Sequence, residues 1–160
     1  MTDQWGIDDL LRAWYAAIVS GRAAPENWIA WADRRIAELD DPDYWLLEFC
    51  VANTPEAALS VLRGVPGKGG IEVGELVLGH YWSQERHSCG DLFAFLLRCG
   101  KYADSETTDP TKNNFCPEIF YSLASRIKDE GEASICRETA EALGPYAEEA
   151  DWQWMVLCES

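Results

Sequence analysis

Positive charge is what this sequence has least of: 13 lysines and arginines stand against 28 aspartates and glutamates, a formal net charge of −15 over 160 residues. The electrostatics that draws basic proteins onto phosphates works here in reverse, so neither nucleic acid nor a membrane surface is an expected partner. Long apolar runs are also missing. The longest, residues 13–19, falls far short of the ~20 residues that a membrane-spanning helix needs. The opening Met-Thr-Asp-Gln-Trp-Gly has neither the basic nor the apolar stretch of an export or targeting peptide, and a cytoplasmic protein is expected.

The common signatures of catalysis and cofactor binding are absent as well. The chain has no Gly-x-Ser-x-Gly nucleophile turn, no His-Glu-x-x-His and no Gly-x-Gly-x-x-Gly, which weighs against an enzyme. Residues 64–70, Gly-Val-Pro-Gly-Lys-Gly-Gly, resemble a phosphate loop only superficially. They lack both the Gly-x-x-x-x-Gly-Lys-Ser/Thr spacing and the hydroxyl that holds Mg²⁺. This stretch is the clearest break in the chain and reads as a hinge or flexible loop. No cofactor is expected.

Histidine is scarce, with only His80 and His87. They share one helix face with Gln84, and Cys89 lies just beyond. Two imidazoles and a thiolate can bind zinc, but the close pair of cysteines or histidines that defines most structural sites is missing. No metal is therefore assigned, and His80, His87 and Cys89 are the nearest approach to a ligand set. A di-iron bundle fails too, because the residues three before the histidines are Val77 and Gln84 rather than glutamates. An imidazole capping or hydrogen-bonding near a helix end is the plainer account of both.

The cysteines, at positions 50, 89, 99, 116, 136 and 158, are even in number, which in a small secreted chain suggests disulfides. Cys50, Cys99, Cys136 and Cys158 instead lie in helix-like apolar patterns, where a free cysteine behaves as a small buried hydrophobe. Reduced thiols are expected. The composition, 48% hydrophobic and 26% charged, is that of an ordinary globular protein. The length suits one domain over residues 1–160 that buries about two-thirds of its unfolded surface.

The apolar periodicity is helical throughout. Ile7, Leu11, Trp14 and Ile18 mark a first helix that Ser20-Gly21 can stop. Pro25 opens a second, with Trp28, Ala32, Ile36 and Leu39 on one face and an end near Asp40. Asp41-Pro42 reads as a cap and first-turn proline for an almost uniformly apolar segment, residues 44–52, expected at the centre of the fold. Thr54-Pro55-Glu56 repeats that start signal for a short helix ending at Gly64. Val73, Leu76, Val77, His80 and Tyr81 mark a fifth helix, and Ser88 with Asp91 makes an aspartate variant of the capping box before a sixth. After a polar stretch, residues 104–114, Pro117 opens a seventh with Ile119, Phe120, Leu123 and Ile127 inward and an end near Gly131. Ile135, Cys136, Thr139, Ala140 and Leu143 give an eighth, stopped by Gly144-Pro145, and residues 146–158 a ninth. The one strand-like stretch, residues 70–77, has nothing to pair with. The expectation is an all-α array of about eight or nine short antiparallel helices.

Acidic pairs mostly fall at helix ends, where an acid near the start suits the dipole. Two groups exceed that role: Asp40, Asp41 and Asp43 crowd one turn, and Glu141, Glu148, Glu149 and Asp151 crowd the C-terminal part of the chain. Either can meet a basic surface. Most of the eight tryptophans belong in a core, but Trp152 and Trp154 must point to different sides of a helix, so one is expected at the surface. The expected partner-binding residues are thus Asp40, Asp41, Asp43, Glu148, Glu149, Asp151, Trp152 and Trp154, and the expected partner is another protein with a basic surface.

In composition, a small, acidic, helical and tryptophan-rich protein without catalytic motifs resembles the immunity proteins with which bacteria neutralise cationic toxins. The likeness is one of composition and not of motif, and it carries no residue across. It implies charge steering toward a basic toxin face, followed by burial of aromatic anchors inside an acidic rim. Two other classes fit the same residues. One is a helical adaptor domain that holds an endogenous protein or peptide in a groove between helices. The other is an enzyme with an unfamiliar site near His80 or His87, which would lose activity on His→Ala with its fold intact.

Overall fold

The computed structural model describes residues 5–65, 74–88, 91–106 and 116–159, with the side chains of 86–88 and 105–106 excepted. It is all-α. Eight helices and no strand occur among the described residues: α1 (Ile7–Val19), α2 (Pro25–Glu38), α3 (Tyr44–Val51), α4 (Pro55–Arg63), α5 (Gly74–Ser88), α6 (Leu92–Glu106), α7 (Pro117–Glu130) and α8 (Glu132–Glu159). None of them is long and apolar enough to cross a membrane. Contacts divide the chain into two compact units, Met1–Val73 with Trp152–Ser160, and Gly74–Asp151. The first holds α1 to α4 and the tail of α8. The second holds α5 to α7 and the rest of α8. The hinge expected at residues 64–70 lies, from residue 66 on, outside the described residues, while Gly64 caps the end of α4 and Val65 is buried.

In the first unit α1 is the central element, buried from Leu10 to Ile18 except at Arg12. Three alanines, Ala13, Ala16 and Ala17, are fully buried and let its neighbours approach closely. Its start is fixed by Asp9, whose Oδ2 accepts the Gly6 amide at 3.1 Å, and its end by Gly21, which takes φ +79°. Around it sits an aromatic cluster. The Phe49 ring lies 6.0 Å from Trp14, 6.3 Å from Trp28, 6.2 Å from Trp31 and 6.1 Å from Trp45. The Trp28 indole donates to the Ala52 carbonyl at 2.7 Å, which fastens the end of α3 to α2. Thr54 caps α4 as expected, its hydroxyl accepting from the Ala57 amide at 3.1 Å.

Two expectations about α3 need correction. It begins at Tyr44 with Asp43 as its N-cap, so Asp41-Pro42 lies ahead of the helix rather than opening it. It is also not central. Trp45, Leu46 and Phe49 are buried, but Tyr44 and Val51 are each 74% exposed, because α3 has packing partners on one side only among the described residues. Leu39 is exposed for a different reason: α2 ends at Glu38 and Leu39 is already extended, so the helical pattern no longer places it.

The second unit packs Leu78, Phe95, Leu96, Cys99, Phe120, Leu143 and Ala147 into one core. Asp91 precedes α6 and accepts the Ala94 amide at 3.2 Å, while Ser88, expected as the cap of this helix, belongs to the end of α5, its side chain lying outside the described residues. α7 runs from Pro117 to a Gly131 cap at φ +89°, with Phe120, Leu123 and Ala124 buried. Ile119 is not turned inward but is 37% exposed, one position off that buried stripe. Arg126 bridges Glu130 on its own helix and Glu138 on α8.

The largest departure is at Gly144-Pro145, which does not stop a helix. α8 is a single 28-residue helix through Pro145. Ile135, Thr139, Leu143, Ala147 and Ala150 form an unbroken buried stripe on one face. Pro145 is on the exposed face, where the carbonyl that loses its N–H partner can be hydrated. The expected eighth and ninth helices are therefore one.

Candidate functional site

The site begins with the exposed side of α3. Tyr44, Leu47 and Val51 stand at i, i+3 and i+7 and so share one face. All three are exposed. An apolar side chain left in water at this spacing forgoes roughly 1.5–3 kcal/mol of burial, so three in a row are costly without a partner. The opposite side of the same helix is held firmly by Trp45, Leu46 and Phe49, which makes the exposed stripe a rigid platform.

Acids surround this platform. Asp40, Asp41 and Asp43 are exposed in the segment leading into α3, and Glu48 is exposed on the helix itself. Asp43 makes no side-chain capping bond although it occupies the N-cap. None of the four carboxylates has a hydrogen-bonded or ion-paired partner among the described residues. Charge and apolar area thus coincide on one face of the first unit.

Beside the platform is an open cavity of about 530 Å³. Ile7, Trp45, Val61 and Val65 give it an apolar lining, and Asp43 and Glu48 add two carboxylates. Trp45 is 9% exposed, and its indole N–H is buried without an acceptor among the described residues.

The other residues expected to bind a partner are arranged differently. Glu148 and Glu149 are exposed on α8, while Asp151 is half-buried and accepts a hydrogen bond from the buried Ser83 hydroxyl. Trp152 is 43% exposed and packs near Trp5 at 5.5 Å. Trp154 is partly buried, edge-on to Trp14 at 6.4 Å, with the Arg22 guanidinium 5.5 Å above it. The two rings do point to different sides, with Trp152 the surface one.

His80 is not near a helix end. It is 1% exposed in the middle of α5, and its carbonyl accepts from the Gln84 side-chain amide at 3.2 Å. The side chain of His87 and all of Cys89 lie outside the described residues. Among the described residues no three His, Cys, Asp or Glu side chains are grouped to hold a metal.

The five described cysteines are free thiols, and only Cys99 is fully buried. Burial pushes its thiol up to about 12. Burial also raises Cys50, helped by the nearby Asp33 carboxylate. Cys136 and Cys158 are exposed, against expectation, because each lies beside and not on the buried stripe of α8.

The sequence reading found the three aspartates but missed Tyr44, Leu47, Glu48 and Val51. A signal was present: residues 44–52 are apolar on both faces, yet the segment is only two turns long and acids precede it. A helix so short, next to so much charge, cannot be enclosed on all sides.

No family model, curated protein or solved structure matches this chain.

Proposed function

We propose that this chain is a small protein-binding domain of the cytoplasm that docks a basic protein on the outer face of α3, in the way an immunity protein neutralises a basic toxin. The observation that supports this reading is the coincidence of an exposed apolar stripe, Tyr44, Leu47 and Val51, with four uncompensated carboxylates, Asp40, Asp41, Asp43 and Glu48. Apolar anchors within a charged rim are what a specific interface requires: the anchors supply affinity, and the rim supplies steering and partner choice. Tyr44 is the natural central anchor, being both aromatic and the most exposed large side chain here together with Val51.

The test starts from a partner captured by tagged protein, identified by mass spectrometry and then measured with purified components. The reading expects a basic protein whose affinity falls as salt is raised. Tyr44→Ala should cost about 2 kcal/mol of binding, the scale of an interface hot spot. Replacing Asp40, Asp41 and Asp43 by lysine should abolish capture while the circular dichroism spectrum stays helical. Salt-insensitive binding, or a Tyr44→Ala variant that binds like the parent, would overturn it.

A further inference from the structure

We propose that the cavity beside α3 is a cation-selective subsite that receives one arginine side chain of the basic partner. This deepens the docking reading above and rests on it. The volume, about 530 Å³, lies within the ~300–1,000 Å³ range of sites that enclose small ligands or single groups. Among the described residues its lining includes two carboxylates, Asp43 and Glu48, and no lysine, arginine or histidine. An anion is therefore repelled, and a neutral apolar group gains nothing from the charged side.

The remaining lining suits the rest of an arginine. Ile7, Val61 and Val65 offer apolar surface for the methylene stem. Tyr44 and Trp45 line the cavity together with the carboxylates, and a flat guanidinium can stack on an aromatic face while its fork meets a carboxylate. Arg63, next to the lining residue Gly64 in sequence, is engaged with Tyr15: it donates from Nε and a terminal nitrogen to the Tyr15 hydroxyl at 2.9 and 2.6 Å, with its guanidinium 5.4 Å from the Tyr15 ring centre.

Three probes of like size separate the contributions when titrated into the full chain and followed by NMR: phenethylguanidinium, phenethyl alcohol and 3-phenylpropionate. The cation should saturate shifts at the Trp45 indole, Val61 and Val65, with the neutral and anionic probes roughly tenfold weaker or worse. Glu48→Gln and Asp43→Asn should each weaken the cation by about fivefold, as expected for losing one attraction across ~4 Å in water. Equal binding of the alcohol, or no response of these residues at millimolar cation, would overturn the proposal.

A second arm uses the protein partner. Ser60→Trp fills the cavity from an exposed position and leaves Tyr44, Leu47 and Val51 in place. It should weaken the partner roughly tenfold, the loss of one well-seated side chain. Full affinity in Ser60→Trp, with binding still abolished by the triple aspartate reversal, would remove the subsite and leave the docking face standing. If the triple reversal also binds normally, both readings fall. Binding of the free cation with no effect of Ser60→Trp on the partner would mean a small-molecule site, which also overturns the proposal as stated.

Discussion

Cys99 shows how one buried side chain links packing to solution behaviour. Its thiol ordinarily titrates near 9.0, and burial raises it to about 12, with the Glu85 carboxylate adding to the shift and Arg98 opposing it. The folded state thus holds the proton more tightly than the unfolded chain does. The stability this contributes is fully present below about pH 9 and is lost as pH rises from there through about 12. Urea midpoints measured from pH 8 upward should therefore decline, and the decline should be shallower in Cys99→Val, which keeps an apolar side chain and removes the ionisable one. Identical slopes for the two proteins would show that burial of Cys99 is incomplete. Placing Cys99 in an apolar helical pattern was possible from sequence. The same pattern misjudged Cys136 and Cys158, because periodicity says which residues alternate with the core but not where its edge lies.

At the scale of elements, two glycines separate close backbone packing from side-chain packing. A Cβ added at Gly79 on α5 would lie 2.5 Å from the Tyr146 carbonyl carbon of α8, an atom that cannot turn aside. At Gly100 on α6 the obstacle is the Tyr121 ring at 2.7 Å, and that side chain is 40% exposed and free to swing outward. Gly79→Ala should therefore cost about 2–3 kcal/mol of stability, as overpacking does. Gly100→Ala should cost well under half of that, some of the strain being offset by the better helix propensity of alanine. Chemical denaturation of the two variants measures the difference, and equal losses would mean that α5 and α8 can separate without penalty. The Gly79 contact lies one residue past Pro145. Packing against α5 there, with the buried stripe from Ile135 to Ala150, helps keep α8 continuous where local chemistry favours a break.

At the scale of the whole molecule the governing quantity is the net charge of −15. A field of that size raises the encounter rate with a cationic protein and is screened over about 8 Å at physiological ionic strength. Once a partner is in hand, stopped-flow measurements should find that salt acts chiefly on association. The apolar contacts of Tyr44 and Val51 should instead govern dissociation, so that Val51→Ala speeds the off-rate and leaves the salt dependence of the on-rate unchanged. A salt effect confined to the off-rate would mean that the acids act as buried pairs and not as a steering rim.

The sequence by itself determined the helical class, most element boundaries, the glycine and threonine caps and the uncompensated charge, since all of these follow from local spacing, local chemistry and composition. Only the tertiary structure decided which apolar faces find partners. It enclosed α1 among its neighbours and left Tyr44, Leu47 and Val51 in water. It also carried α8 through Pro145 and buried His80 in the middle of α5. Each of these outcomes depends on what lies across a contact, and that neighbour is set by segments far away in the chain.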